Sequence, residues 1–306
     1  MGERSRLPNL IIAGTVKSGT TSLYQYLLRH SEICGSSVKE TCFFLPVRYG
    51  STYGTIETYE QYFRHCTDQK IVMESTPGYF EGGRDLAGEI KRQLGSVRVI
   101  LLLRDPVDRL VSFFNYKKAQ VELPEDLELE QYLSDCLSMD YGERRKPEND
   151  RYWGVDGGRY IQHLPGWFEV FGKDNVRIIF FEHFIVDAVD VIADILSWLE
   201  LDDERALYAR LSAENRTVHY RNRALQKLAI AANRMMEPFS RRAPAFKRVV
   251  RDIYYFINST RREIVLDDEA RRRLQALYED DNRKLAEFVS EQGYTDIPDW
   301  LTENSS

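Results

Sequence analysis

Short, wholly apolar runs alternate with helical patterns over the first two hundred residues. Leu10-Ile11-Ile12-Ala13 closes on Gly14, and Leu23, Tyr26 and Leu27 then recur at helical spacing. Ile71-Val72-Met73, Val97 to Leu103 and Val176 to Phe181 read as further strands. The last two run into helical stretches, Pro106 to Ala119 and Ala188 to Leu199. Strands that are apolar on both faces and alternate with helices predict an α/β fold, a parallel sheet flanked by helices. The polar segment Gln120 to Gly158 carries few strand signals and reads as an insertion or lid over the ligand edge of the sheet. The C-terminal third is helical. Phe246, Val249, Val250, Ile253 and Ile257 form one apolar stripe, and Ala270, Leu274, Leu277, Leu285 and Phe288 form another. Asp267 or Asp268 can cap the last helix and Gly293 can end it. No linker separates this third, so the expectation is one domain over 1–306, with a core at about 7–200 and a helical part at about 205–300.

Composition agrees with a large core: 43% of the 306 residues are hydrophobic. No apolar run reaches the roughly 20 residues that span a bilayer. The first eight residues lack the apolar stretch of a secretory signal, and Arg6 stands where a myristoylation pattern wants a hydroxyl. These features predict a cytoplasmic chain unless a leader or anchor was removed. Cys34, Cys42, Cys66 and Cys136 give no zinc spacing and are expected as free thiols. The five histidines are scattered, and no metal is expected. The net charge is −6, yet residues 205–273 hold 17 Lys and Arg against 7 Asp and Glu. The global charge argues against nucleic acid as a partner, while the basic region suits an anion or simply solvated helix faces.

Gly14-Thr15-Val16-Lys17-Ser18-Gly19-Thr20-Thr21 lies between a strand and a helix. Such a loop aims unpaired N–H groups and a helix dipole at one point, which favours phosphate. Its glycine spacing is P-loop-like, but the usual lysine position is Thr20, and the lysine is Lys17. Ile71-Val72-Met73 ends in Glu74 and Val97 to Leu103 in Arg104, so a Walker-B aspartate is also missing. This equipment suits one phosphate carrying a transferable group better than a magnesium triphosphate. In Arg104-Asp105-Pro106 the acid can cap and the proline can open a helix, which leaves Arg104 at the carboxyl end of a strand. Ser112 lies two turns on and can complete a second anion site. Arg109 is as readily a helix-surface ion-pair residue as a functional one.

The two motifs together resemble the sulfotransferases that use 3′-phosphoadenosine 5′-phosphosulfate, over most of the span from Leu10 to Trp300. The resemblance implies that Lys17, Ser18, Gly19, Thr20, Thr21 and Ser22 hold the 5′-phosphosulfate, and that Arg104 and Ser112 hold the 3′-phosphate. Lys39-Glu40-Thr41-Cys42-Phe43-Phe44 resembles the E-x-x-F-F stretch of glycan and bacterial members, which implies Glu40 as the base and Lys17 as the cation on the leaving oxygen. Cys42 stands where many relatives have histidine. Lys39 and Glu74 are implied substrate contacts, with Glu74 equally able to hold its own loop; Ser75 replaces a common lysine. Gly158 to Trp167 resembles another family stretch, in which Tyr160 touches adenine and His163 and Trp167 pack. Arg221 and Arg223 match a basic loop over the nucleotide. The implied activity is sulfuryl transfer, without metal, to an acceptor hydroxyl on a glycan, glycolipid or other hydroxylated metabolite. A P-loop-type kinase with an atypical lysine and a non-catalytic nucleotide-binding protein are the alternatives.

Overall fold

The computed structural model describes residues 6–204, 207–208, 219–220, 259–260 and 266–302. Five parallel strands form its sheet: β1 (Leu10–Gly14), β2 (Ile33–Gly35), β3 (Ile71–Ser75), β4 (Arg98–Leu103) and β5 (Val176–Phe180). Their order is β2-β3-β1-β4-β5, with β1 in the centre. Leu10 stands opposite Met73 on one side and Arg98 on the other. Alternation along each strand makes two cores. Leu10, Ile12, Met73, Ile100 and Leu102 face one way, with Leu23, Leu27, Ile192 and Leu196 from helices. Ile11, Ala13, Val72, Val99 and Leu101 face the other way, with Leu86, Ile90, Leu164 and Trp167. Each such aliphatic side chain contributes roughly 1.5–3 kcal/mol when fully buried.

The parallel α/β sheet is therefore as the apolar runs predict, and the helices Pro106–Ala119 and Ala188–Trp198 follow β4 and β5. The edge strand β2, only three residues long, gives no run of its own. The C-terminal pattern is cut differently from the single last helix expected. Asp267 caps a helix at Asp268–Ala276 through the Ala270 N–H, 2.7 Å away. The chain then breaks at Leu277-Tyr278 and restarts as Glu279–Glu291. Tyr278 is fully buried, and Glu279, Asp280 and Asp281 complement the positive start of the new helix. Gly293, at φ 96°, lies just beyond the end of that helix. The stripe from Phe246 to Ile257 lies outside the described residues.

Free thiols are not the whole cysteine inventory. Cys34 and Cys66 form a disulfide, while Cys42 and Cys136 are free. The 32-residue separation follows no motif; it is the folded chain that brings the middle of β2 beside the turn after Gln61–Phe63.

The chain groups into two compact units. One comprises 1–109, 156–215 and 272–306 and contains the sheet; the other comprises 110–155 and 216–271. The boundary falls within the helix Pro106–Ala119. In the second unit Tyr132 packs on Phe114 at 5.0 Å, and Lys117 reaches Glu122 at 2.8 Å and Asp150 at 2.9 Å. Much of Gln120 to Gly158 is thus helical and 3₁₀ structure. No helix among the described residues is long and apolar enough to cross a membrane.

Candidate active site

The carboxyl edge of the sheet collects the charged residues. β1 runs into the loop 14–19 and then α1 (Thr20–Leu27). Two features shape that loop. Gly14 has no room for a side chain, since a Cβ there would meet Phe80 Cβ at 2.5 Å. Gly19, at φ 88°, sits in the left-handed region, and its Cβ would meet the Phe181 ring at 2.9 Å. Thr15 Oγ1 lies 2.6 Å from Ser18 Oγ and 2.9 Å from the Leu102 carbonyl oxygen, tying the loop to β4. No side chain caps α1, so the helix start faces the loop with backbone alone. Thr20 and Ser22 are buried in the first turn, and Thr21 is half-buried.

Lys17, at φ 73°, is the cation of this loop. Burial and then the Arg104 guanidinium pull its ammonium down to about 8, against a smaller upward pull from Glu40. Arg104, at the end of β4, donates from Nη1 to the Lys17 carbonyl oxygen at 3.2 Å and lies over the Phe181 ring at 4.6 Å. Two cations held this close, beside an uncapped helix start, make a site suited to an anion and costly without one.

Below Arg104 the packing is polar and enclosed. Tyr160 is 1% exposed; its hydroxyl donates to the Arg104 carbonyl oxygen at 2.8 Å, and its ring lies near Phe80 and Trp300. The Tyr160 hydroxyl thus braces the end of β4 at Arg104. Asp105 Oδ1 accepts from the Val107 N–H at 2.8 Å, capping the helix as its position after the strand predicts. Glu182 Oε1 accepts from the Asp105 N–H at 2.9 Å. Arg109 is not a surface ion-pair residue: it is 1% exposed, and a Cβ on Gly157 would meet its guanidinium at 2.9 Å. Ser112 lies half-buried two turns into the helix. Arg221 and Arg223 lie outside the described residues.

Glu40 enters from the β2–β3 side. Its N–H donates to the Ser75 carbonyl oxygen at 3.1 Å, and its Oε1 accepts from Lys39 Nζ at 3.0 Å. Glu40 and Cys42 both have left-handed backbone, at φ 63° and 53°. The clamp that holds this shape is Glu74. It is fully buried; Thr41 Oγ1 donates to Oε1 at 2.8 Å, Thr76 Oγ1 donates to the same oxygen, and Tyr59 OH donates to Oε2 at 3.0 Å. Burial pushes the Glu74 carboxyl up, and the hydroxyls of Thr76, Thr41, Tyr59 and Tyr79 pull it down by less. Thr76 Oγ1 also accepts from the Cys42 N–H, and Tyr79 OH from the Phe44 N–H. These contacts are those of the loop-holding role among the two open to Glu74, and its side chain is fully buried. Burial, then Glu40 and Glu74, push the Cys42 thiol up to about 11, with Lys39 opposing.

Lys17 thus feels the charges of both Arg104 and Glu40, and Lys39 pairs with Glu40. Sequence reasoning missed Phe181 and Tyr59. The position of Phe181 at the end of β5 is the available signal for the first; Tyr59, on a short helix, has none.

Residues 87–248, more than half of the chain, match the family described as the sulfotransferase domain. Over 114 residues the chain is 40% identical to the membrane-associated sulfotransferase kil1 of Dictyostelium discoideum, covering 36% of this chain and 23% of that protein. It is 25% identical over 197 residues to human heparan sulfate glucosamine 3-O-sulfotransferase 3B1, covering 64% of this chain and 47% of that one. The chain therefore spans less than half the length of these relatives. A crystal structure of a sulfotransferase from Alicyclobacillus acidocaldarius shares the fold, with a TM-score of 0.68 at 20% identity over 96% of this chain and 99% of that one. The extent of the domain match makes this chain a member of the sulfotransferase family.

Proposed function

We propose that the chain transfers a sulfuryl group from 3′-phosphoadenosine 5′-phosphosulfate to an acceptor hydroxyl, with Glu40 as general base. The observation that carries this reading is that Lys17 feels the charges of both Arg104 and Glu40, with Arg104 Nη1 bonded to the Lys17 carbonyl oxygen at 3.2 Å. The nucleotide supplies an activated sulfur–oxygen bond with a phosphate as leaving group. Lys17 and the start of α1 stabilise the charge that develops on the leaving phosphate oxygen. Arg104 neutralises a second phosphate and holds the Lys17 backbone. Glu40 takes the acceptor proton as the hydroxyl oxygen bonds to sulfur, and the sulfur–oxygen bond to phosphate breaks in line. Lys39, whose Nζ lies 3.0 Å from Glu40 Oε1, orients that carboxylate. No step in this scheme asks for a metal.

The acceptor belongs to the hydroxylated class, a glycan, glycolipid or smaller metabolite. Relatives named for heparan sulfate support the glycan end of that range. Work in the cytoplasm requires Cys34 and Cys66 to be reduced there; the bridge itself belongs to an oxidising compartment.

The test pairs binding with turnover. Glu40→Gln is expected to keep its affinity for adenosine 3′,5′-bisphosphate by calorimetry, while transfer to a hydroxylated acceptor falls by about 10²–10⁴. Binding only of a magnesium nucleoside triphosphate would replace this reading with a kinase. Undiminished transfer by Glu40→Gln would remove Glu40 as the base.

A further inference from the structure

We propose that Cys34, His65 and Cys66 form a zinc site whenever the Cys34–Cys66 bridge is reduced. The three side chains lie apart from the charged edge described above. Cys34 is the middle residue of the edge strand β2, and His65-Cys66 follows the turn Gln61–Phe63. One ligand atom from each residue lies within 4.8 Å of the other two. His65 Nε2 is 3.9 Å from Cys66 Sγ, and the two cysteine Cα atoms are 5.7 Å apart.

These separations fit a tetrahedral centre. With zinc–sulfur at about 2.3 Å and zinc–nitrogen at about 2.0 Å, ligand atoms stand about 3.5–3.8 Å from each other. The imidazole already stands near that distance from one sulfur. Reduction frees the two sulfurs to separate, and a small side-chain rotation on each cysteine reaches the required spacing. Two thiolates and an imidazole are the donors that zinc prefers over magnesium or calcium. The cysteines are buried at 8% and 6% exposure, whereas His65 is exposed, which leaves the fourth position to water. The two segments stay joined without the bridge, because the Ser37 N–H donates to the Tyr62 carbonyl oxygen at 2.8 Å, and the Cys66 turn keeps its own shape through its N–H to the Phe63 carbonyl oxygen at 2.9 Å.

The chemistry balances. A phosphine or dithiol reductant gives two electrons, the bridge takes them with two protons to become two thiols, and the reductant leaves as phosphine oxide or disulfide. Zinc binding then displaces both thiol protons. The same two chain segments are joined in either case, by sulfur–sulfur bonding in an oxidising compartment and by the ion in a reducing one.

The test uses the whole chain, reduced with a phosphine under nitrogen and titrated with Co²⁺ as the spectroscopic probe, then with Zn²⁺ as competitor. One equivalent of Co²⁺ with thiolate charge-transfer absorption is expected, displaced by Zn²⁺. Oxidised wild type and Cys34→Ser should show no such absorption. His65→Asn, which leaves the bridge able to form, should lower affinity at least about tenfold. Absence of charge-transfer absorption in the reduced wild type would overturn the proposal. So would an unchanged affinity in His65→Asn. If reduction unfolds the chain, recovery of its thermal transition on adding Zn²⁺ supports the site, and failure to recover overturns it. None of these readouts depends on sulfuryl transfer.

Discussion

Lys17 should make nucleotide binding depend on pH in a predictable way. Its ammonium is held at about 8 in the ligand-free chain by burial and by Arg104. A bound phosphate reverses that balance and favours the charged form, so the complex forms from protonated Lys17. The apparent affinity then scales with the protonated fraction. For a group titrating at about 8, that fraction is about 0.9 at pH 7 and about 0.1 at pH 9. Affinity for adenosine 3′,5′-bisphosphate should therefore fall about tenfold between those pH values, and binding at pH 8 should take up about half a proton. The second ionisation of each phosphate lies near 6 and adds little to this slope. Calorimetry in buffers of contrasting ionisation enthalpy reads both quantities. Lys17→Arg, always charged, should bind with a flat profile. In the free chain the sign is the reverse. A lowered native value means that the unfolded chain holds more protons between about 8 and 10.5, so the contribution of Lys17 to stability rises with pH across that window. A wild-type affinity that is flat from pH 7 to pH 9, with no proton uptake, would refute the argument.

Arg104→Ala should weaken bisphosphate binding about 10- to 100-fold, read by the same titration, since a charged hydrogen-bond donor is lost. Glu74→Ala strands the hydroxyls of Thr41, Thr76 and Tyr59 in a closed site and should cost about 3 kcal/mol in denaturant unfolding; a cost near zero would mean that the clamp does not hold the loop. Under oxidising conditions Cys34→Ser should lose about 3–4 kcal/mol, the amount expected for opening a 32-residue loop.

Much of the fold is legible because buried parallel strands are unbroken apolar runs. Leu10 to Ala13, Ile71 to Met73, Val97 to Leu103 and Val176 to Phe181 all declare themselves this way. β2 does not, because Ile33-Cys34-Gly35 is too short to show a period and gains its partner only when β3 is in place. The loop 14–19 and Arg104 are legible for a related reason: both sit where a strand ends and a helix begins, and Lys, Gly, Asp and Pro punctuate such places. The clamp beneath Glu40 is not, since Tyr59, Glu74 and Thr41 come from three separate segments. Nor is the burial of Arg109, which depends on the bare backbone of Gly157. The disulfide belongs to the same class, as a contact created by topology between residues without a local pattern.

The strand order has a consequence for how this protein can change. The Lys17 loop leaves β1, while the Glu40 N–H is held by the end of β3, the next strand over. Their lateral offset is therefore set by a sheet hydrogen-bond spacing of about 4.8 Å, which no side-chain replacement can stretch. The sheet acts as a ruler between the Lys17 loop and the Glu40 loop. On the proposed assignment of Lys17 and Glu40, new acceptors would be accommodated by the loops that rise from that edge, since the backbone fixes the spacing of the strands that carry both residues.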